Sequence, residues 1–252
     1  METGWWFGGL DLGQSRDFTA LAVLERAELT GEYDAAMCAW RKKVALRLRY
    51  LERVPLGTPY PDIVERVKRT TRAPELDGRC HVAVDATGVG RPVVDLLRRA
   101  ELGATILPAI ITPGAAESLN KGYYGVPKRD LVTGLQVLLQ RGGLQIAAGL
   151  KHGPDLVEEL AEMRVKVGGE GREQYGAWRE GTHDDLVFAV ALAYWAARKL
   201  YPGEPSGENA YWRFRAWREC EREFRREMER RREGGTERGT GKEAWRSSEW
   251  RL

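Results

Sequence analysis

Carboxylates stand at three places where an apolar run stops or a helix begins. Asp11 ends Trp6-Phe7-Gly8-Gly9-Leu10, Asp85 ends Val82-Ala83-Val84, and the pair Asp184-Asp185 heads a run containing Leu186, Val187, Phe188, Val190 and Leu192. Short apolar runs read as buried strands, and a helix apolar nearly all round must itself be buried. Each acid is therefore carried to the edge of the interior, where charge is costly. Two like charges 4 Å apart repel by about 4 kcal/mol at an effective dielectric near 20. Such a group is tolerable if a proton is shared, if arginine intervenes, or if a cation binds between the acids. With three acidic segments the cation is the favoured partner, and an all-oxygen donor set suits Mg2+ or Mn2+.

Asp184 taken alone has an ordinary explanation, because aspartate caps helices and suits the positive end of the helix dipole. Adjacent residues differ by about 100° around a helix, so only one of Asp184 and Asp185 is expected as a direct ligand. His183 precedes them and is a candidate for metal ligation or phosphate contact, with an exposed histidine at a helix start as the alternative. His81 and His152 have no supporting cluster and read as packing or surface residues.

Several basic residues are candidates for gripping a phosphate backbone. Lys121, Lys128 and Arg129 surround Tyr123-Tyr124-Gly125, a mixture suited to DNA contact, although a solvated helix start has the same composition. Arg91 follows the Gly88-Val89-Gly90 turn and either holds a phosphate near Asp85 or screens that carboxylate. Lys166, Arg172 and Arg179 belong to a glycine-rich segment that reads as a surface hairpin.

The elements that must position these groups follow from periodicity. Residues 5–11 and 18–26 read as a strand hairpin, and Val44, Leu46, Leu48 and Tyr50 alternate with Lys43, Arg47 and Arg49 in a third strand. A helix is expected after Pro59 and Pro61, a strand over 81–85, a helix over 92–100 and a strand over 105–111. Another helix starts at Pro127 and stops at Gly142-Gly143, followed by a short edge strand over 144–147, an amphipathic helix over 154–164 and a hairpin over 165–178. The apolar helix after Asp185 closes a domain spanning 1–200. Residues 201–207, with Pro202, Gly203, Pro205 and Gly207, read as a linker. A charged tail, 208–252, carries Trp217, Phe224 and Met228 at helical spacing before a stretch expected to be disordered.

This order of elements, together with Asp11 followed by Asp17-Phe18-Thr19-Ala20, Val84-Asp85-Ala86-Thr87-Gly88-Val89-Gly90, and His183-Asp184-Asp185-Leu186 leading into Ala189 and Ala193, resembles the ribonuclease H-like superfamily. Within it the sequence is similar to the nuclease domain of tailed-phage terminase large subunits. The resemblance implies an α/β fold, with three antiparallel strands followed by parallel strands in one mixed sheet flanked by helices. It implies Asp11, Asp85 and Asp185 as principal metal carboxylates, Asp184 close by and Asp17 as an auxiliary acid. It further implies two divalent ions and hydrolysis of double-stranded DNA in viral genome packaging, with a packaging ATPase, a small terminase subunit and a portal as partners. No G-x-x-x-x-G-K-[ST] phosphate loop occurs in the sequence, so a nuclease without its own motor is expected.

Composition limits the alternatives. Forty basic and 37 acidic side chains leave a net charge of only +3, so local arrangement must carry any nucleic-acid argument. Three cysteines without C-x-x-C spacing suggest neither a disulfide framework nor a zinc knuckle. No basic segment followed by a long apolar stretch opens the chain, and the apolar run over 186–197 is too short for roughly 30 Å of hydrocarbon. A monomer in the host cytoplasm, away from membranes, is the expectation. Two other functions stay open at this point. The segment DLGQSRDFTALAV loosely resembles the first phosphate hairpin of the actin-like ATPase and sugar-kinase fold, which implies a phosphotransferase. The acids are instead structural if the domain is a non-catalytic binder of DNA or of a capsid partner.

Overall fold

Three consecutive strands, β1 (Trp5–Asp11), β2 (Thr19–Asp34) and β3 (Ala39–Val54), pair antiparallel and open the fold as the alternation predicts. The computed structural model describes residues 4–13, 17–34, 38–88, 90–167, 173–176 and 183–201, with the backbone path alone for 28–34, 39–43, 164–167 and 173–176. The hairpin of β2 and β3 extends beyond the apolar stretch because its outer end pairs polar residues, such as Thr30 with Lys42, which carry no apolar period.

The pairing of β2 with β3 shifts between Val23 and Leu24, which face Tyr50 and Leu48, so Arg49 is an extra, bulged residue. A bulge reverses which side chains meet a given face. Leu46 and Leu48 lie in one core, Leu51 joins the same core, and Tyr50 packs on the other. The expected alternation through Tyr50 therefore breaks at Arg49, and Arg53 turns to the face shared with Leu51.

Helix α1 (Tyr60–Thr71) begins behind Pro59 and leads to β4 (Cys80–Asp85), α2 (Gly90–Arg99) and β5 (Ala104–Thr112). Strands β4 and β5 extend the sheet in parallel from β1. Next come β6 (Ser118–Asn120), β7 (Tyr123–Pro127), α3 (Lys128–Gln140), β8 (Leu144–Ile146) and α4 (Gly153–Glu162). The small hairpin β9 (Arg164–Val167) and β10 (Glu173–Gly176) precedes α5 (Asp185–Leu200). The large sheet has the order β6-β7-β5-β4-β1-β2-β3-β8, with β8 parallel to β3 at one edge as expected.

The β6–β7 hairpin was not legible in the sequence. All three β6 residues are exposed, so no apolar alternation marks them. Its two-residue turn places Lys121 at φ 49° and Gly122 at φ 80°, the pair of positive angles that a tight hairpin turn requires.

Helices cover both faces of the sheet. Val64 and Val67 of α1 and Val93, Val94 and Leu97 of α2 pack with Leu10, Val23 and Val84 on one side. On the other, α5 lies buried against Phe7, Ala22, Leu24 and Ala83, with Leu131 and Leu135 of α3 and Leu156 of α4 beside it. Alanines on α5 permit close approach, and a Cβ on Gly9 of β1 would collide with the Ala189 carbonyl and the Ala193 amide. Gly9 thus sets how tightly α5 seats on the central strand. Among the described residues no helix is long and apolar enough to cross a membrane. The expected linker beyond Tyr201, the tail 208–252 and residues 168–172 of the expected glycine-rich hairpin lie outside the described residues.

Candidate metal centre

One row of side chains crosses the sheet at the end of β1. Asp11 pairs with Ala20, and Ala20 pairs with Arg53, so these residues from β1, β2 and β3 share a face, with only a small alanine between acid and guanidinium. On the other side of β1 the parallel register ends at Leu10 with Val84, one step before Asp11 and Asp85. Those two acids therefore project side by side from adjacent strands, toward the face that α5 covers. The backbone N–H of Thr87 donates to Asp85 Oδ1 at 2.8 Å, and Thr87 Oγ1 accepts from the Ile111 amide at 2.9 Å. A Cβ on Gly90 would collide with the Asp85 carbonyl, so glycine there lets α2 begin directly against the strand end.

The first turn of α5 closes the same region. A cleft of about 280 Å3 is lined by Asp11, Asp17, Asp85, Asp184 and Asp185, together with His183, Lys128, Phe18 and Phe188. Every acid singled out in the sequence reaches this cleft. Asp11 is held well above the usual carboxylate range, first by desolvation and then by Asp85, Asp184 and Asp185, with Lys128 opposing them. Burial also raises Asp85, against hydrogen bonds from Thr87 and the charge of Lys128. Asp185 is raised by burial too, against its hydrogen bond and charge pairing with Arg53. The ammonium of Lys128 sits 4.5 Å from the Phe188 ring centroid, and His183 meets Phe18 edge-on at 4.9 Å between centroids.

Arg53 and Glu159 belong to this site although the sequence did not single them out. Arg53 Nε donates to Asp185 Oδ2 at 2.8 Å, and a terminal nitrogen of the same guanidinium donates to Glu159 Oε1. The guanidinium lies 5.2 Å from the Phe18 ring centroid. Glu159 Oε2 accepts the backbone N–H of Val187 at 3.1 Å. Burial, followed by the charge of Asp185, pushes the Glu159 carboxyl up to about 7. A sequence signal for Glu159 did exist. Leu156, Glu159, Leu160 and Met163 recur at helical spacing, which puts one acid in the inward stripe of α4.

The basic candidates are dispersed. Among the candidates whose side chains are described, Lys128 alone lines the cleft. Arg91 and Arg98 each lie 5.5 Å from the Tyr123 ring centroid, so Tyr123 carries two guanidiniums. Tyr124 packs inward, 5.3 Å from the Trp195 ring, which makes it a core contact and not a platform for a base. Lys121 is exposed at the β6–β7 turn, and Arg129 is exposed with a 3.4 Å hydrogen bond to the Ala115 carbonyl. Lys166 is on β9 with only its backbone path described, and Arg172 and Arg179 lie outside the described residues. His81 is packed near Trp5, Phe7 and Tyr201, while His152 pairs with Asp155 at 2.8 Å, in keeping with their packing and surface readings.

The donor set fits a hard divalent cation. It is made of carboxylate oxygens, with Asp11, Asp85 and Asp185 driven toward neutrality by burial and Asp11 by its acidic neighbours as well, a penalty that a shared cation relieves. Among the described residues no three His, Cys, Asp or Glu side chains are already gathered as a ligand shell. Arg53 engages one oxygen of Asp185 and the Thr87 amide one oxygen of Asp85, and each carboxylate keeps further oxygen lone pairs for a cation. A larger cleft of about 630 Å3 lies at the other end of β4 and β5, near His81 and Glu101, without a cluster of acids.

No protein-family model matches the chain, and no curated protein matches it. Solved structures do. A magnesium-bound large terminase nuclease from the thermophilic phage G20c is 24% identical, with a TM-score of 0.51 over 77% of this chain and 82% of that one. The large terminase nuclease domain of Thermus phage P74-26 is 21% identical, with a TM-score of 0.52 over 82% and 84%. A manganese-containing nuclease domain from the large terminase subunit of bacterial virus Sf6 is 14% identical, with a TM-score of 0.50 over 77% and 89%. The eight-stranded sheet, its helical layers and these likenesses together give this chain the ribonuclease H-like fold of viral large-terminase nuclease domains.

Proposed function

We propose that this chain is a divalent-metal-dependent endodeoxyribonuclease of viral genome packaging, which cleaves concatemeric double-stranded DNA. In this reading Asp11, Asp85 and the Asp184-Asp185 pair hold two Mg2+ or Mn2+ ions, with Asp17 and His183 as auxiliary groups at the rim. The single observation that carries it is the convergence of these acids, from two strand ends and one helix start, in one cleft. The fold adds to it, since similar nuclease domains have been crystallised with magnesium or manganese.

Bound divalent ions would supply Lewis-acid stabilisation of the reacting phosphate and a water activated for attack. The chain's own residues do the rest. The Thr87 amide fixes the Asp85 carboxylate, and Arg53 fixes that of Asp185. Lys128 places a positive charge beside Asp11 and Asp85, where it also attracts a phosphate of the substrate. Arg91, Lys121 and Arg129, with Lys166, Arg172 and Arg179, are proposed to contact the DNA backbone, which gives grip without sequence preference. Delivery of DNA is assigned to partners, namely a packaging ATPase, a small terminase subunit and a portal, in the host cytoplasm.

Plasmid DNA incubated with the purified chain and Mn2+ tests the reading. Wild type nicks and linearises the plasmid, whereas Asp85→Ala leaves it supercoiled. Equal cleavage by both proteins, or none by either, contradicts the assignment.

A further inference from the structure

Helix α5 starts at an acid that does not cap it. Asp184 occupies the N-cap position, yet its side chain makes no capping hydrogen bond. An N-cap side chain ordinarily accepts the N–H of the second or third helical residue. Counting from Asp184, Val187 is the third, and its N–H already donates to Glu159 Oε2, an acid 28 residues away on α4. Glu159 therefore caps α5 from a neighbouring helix. Its other oxygen accepts from Arg53, which also donates to Asp185 Oδ2. Glu159 and Asp185 are only 7% and 5% exposed, so packing and not solvent fixes this geometry.

A buried ion cluster is weak grounds for stability, because desolvation offsets most of its attraction. Asp184 is also the right residue in the right place to cap the helix unaided. What the Glu159 cap changes is the use to which Asp184 is put. With the Val187 amide occupied, the Asp184 carboxylate is not drawn back over the helix end, and it lines the acidic cleft instead.

We propose that Glu159, together with Arg53, is a positioning residue for the metal-binding acids: Glu159 caps α5 in trans and so commits Asp184 to the cleft, while Arg53 sets the Asp185 carboxylate. The inference rests on the metal-site reading above. It assigns Glu159 and Arg53 no contact with the substrate.

A double-mutant cycle tests this with the full chain. Melting is followed in chelator for wild type, Asp184→Ala, Glu159→Ala and the double variant, and Mn2+ affinity is measured by calorimetry. In the wild-type background Asp184→Ala lowers the metal-free melting temperature by less than it does in the Glu159→Ala background, because the Asp184 side chain makes no capping hydrogen bond to α5. With Glu159→Ala in place Asp184 takes over the cap, and its removal lowers melting by about 2–4 °C. Mn2+ binding weakens at least about tenfold in Glu159→Ala. Glu159→Gln keeps an oxygen for the Val187 amide and covers the case in which the alanine variant does not fold. It binds Mn2+ with much less than a tenfold loss. Additive melting effects overturn the proposal, as does Mn2+ affinity indifferent to Glu159→Ala or lost equally in Glu159→Gln. Failure of wild type to bind Mn2+ would overturn the metal-site reading instead, and the metal-free cycle would still decide whether Glu159 is the cap.

Discussion

The two ends of strands β1 and β4 bury titratable groups in opposite ways. At the end that carries Asp11 and Asp85, a cleft of about 280 Å3 gathers acids, and burial followed by the charges of Asp85, Asp184 and Asp185 raises the pKa of Asp11. At the other end His81 packs near Trp5, Phe7 and Tyr201, beside a cleft of about 630 Å3. Among the described residues neither ring nitrogen of His81 has a hydrogen-bond partner. Burial alone lowers its pKa, so the ring resolves its conflict by staying neutral. A single imidazole can do that at ordinary pH. Several carboxylates cannot all be neutral at pH 7, and a cation is the remaining relief. Accumulated acidic charge that Arg53 and Lys128 offset only in part, not cavity size, separates the candidate centre from the larger cleft.

The largest expected effect is on catalysis. Asp11→Asn and Asp85→Asn each lower Mn2+-dependent plasmid cleavage by about a thousandfold or more, whereas His81→Phe leaves it unchanged. A matching loss in His81→Phe breaks the contrast between the two ends.

Metal-linked stability comes next. At about a hundred times its dissociation constant, Mn2+ stabilises the wild-type fold by about 2.7 kcal/mol. Calorimetric melting should show this gain preserved in His81→Phe and lost in Asp11→Asn. Equal metal stabilisation of the two variants would place the ion elsewhere.

The smallest effect is a difference in pH slope, and it sharpens the comparison. Asp11, Asp85 and Asp185 have pKa values raised above 3.8 in the fold, so the metal-free native state binds protons more tightly than the unfolded chain. Their effect is a loss of stability as pH rises from about 4 through the folded-state values. Asp11→Asn should therefore stabilise the metal-free protein at pH 8, by a margin that shrinks toward pH 4. His81 has the opposite sign. Its folded pKa lies below 6.5, so it withdraws stability as pH falls through that value, and His81→Phe should flatten the acid side of the curve. Urea unfolding in chelator, from pH 4.5 to 8, reads both slopes.

Much of the candidate site was legible because apolar runs advertise where they stop. Asp11, Asp85 and Asp185 end or begin elements whose burial is plain in Trp6 to Leu10, Val82 to Val84 and Leu186 onward. Asp17 was reached only through the resemblance, since nothing in the spacing around it demands an acid. Arg53 was hidden by the bulge at Arg49. Strict alternation puts Arg53 on the outward face with Arg47, and one extra residue in β3 turns it toward Asp185. Glu159 was visible in principle as an acid in an apolar stripe, but its partner amide on Val187 is a contact between distant helices that no local pattern encodes. The β6–β7 hairpin escaped for a third reason, because an exposed edge strand needs no apolar signature.

Anomalous diffraction from crystals soaked in Mn2+ tests the central claim most directly. The account expects manganese peaks between Asp11 and Asp85, about 4 Å apart if both ions bind, with an oxygen of the Asp184-Asp185 pair completing the shell. Saturating Mn2+ that leaves no peak in this cleft would contradict it.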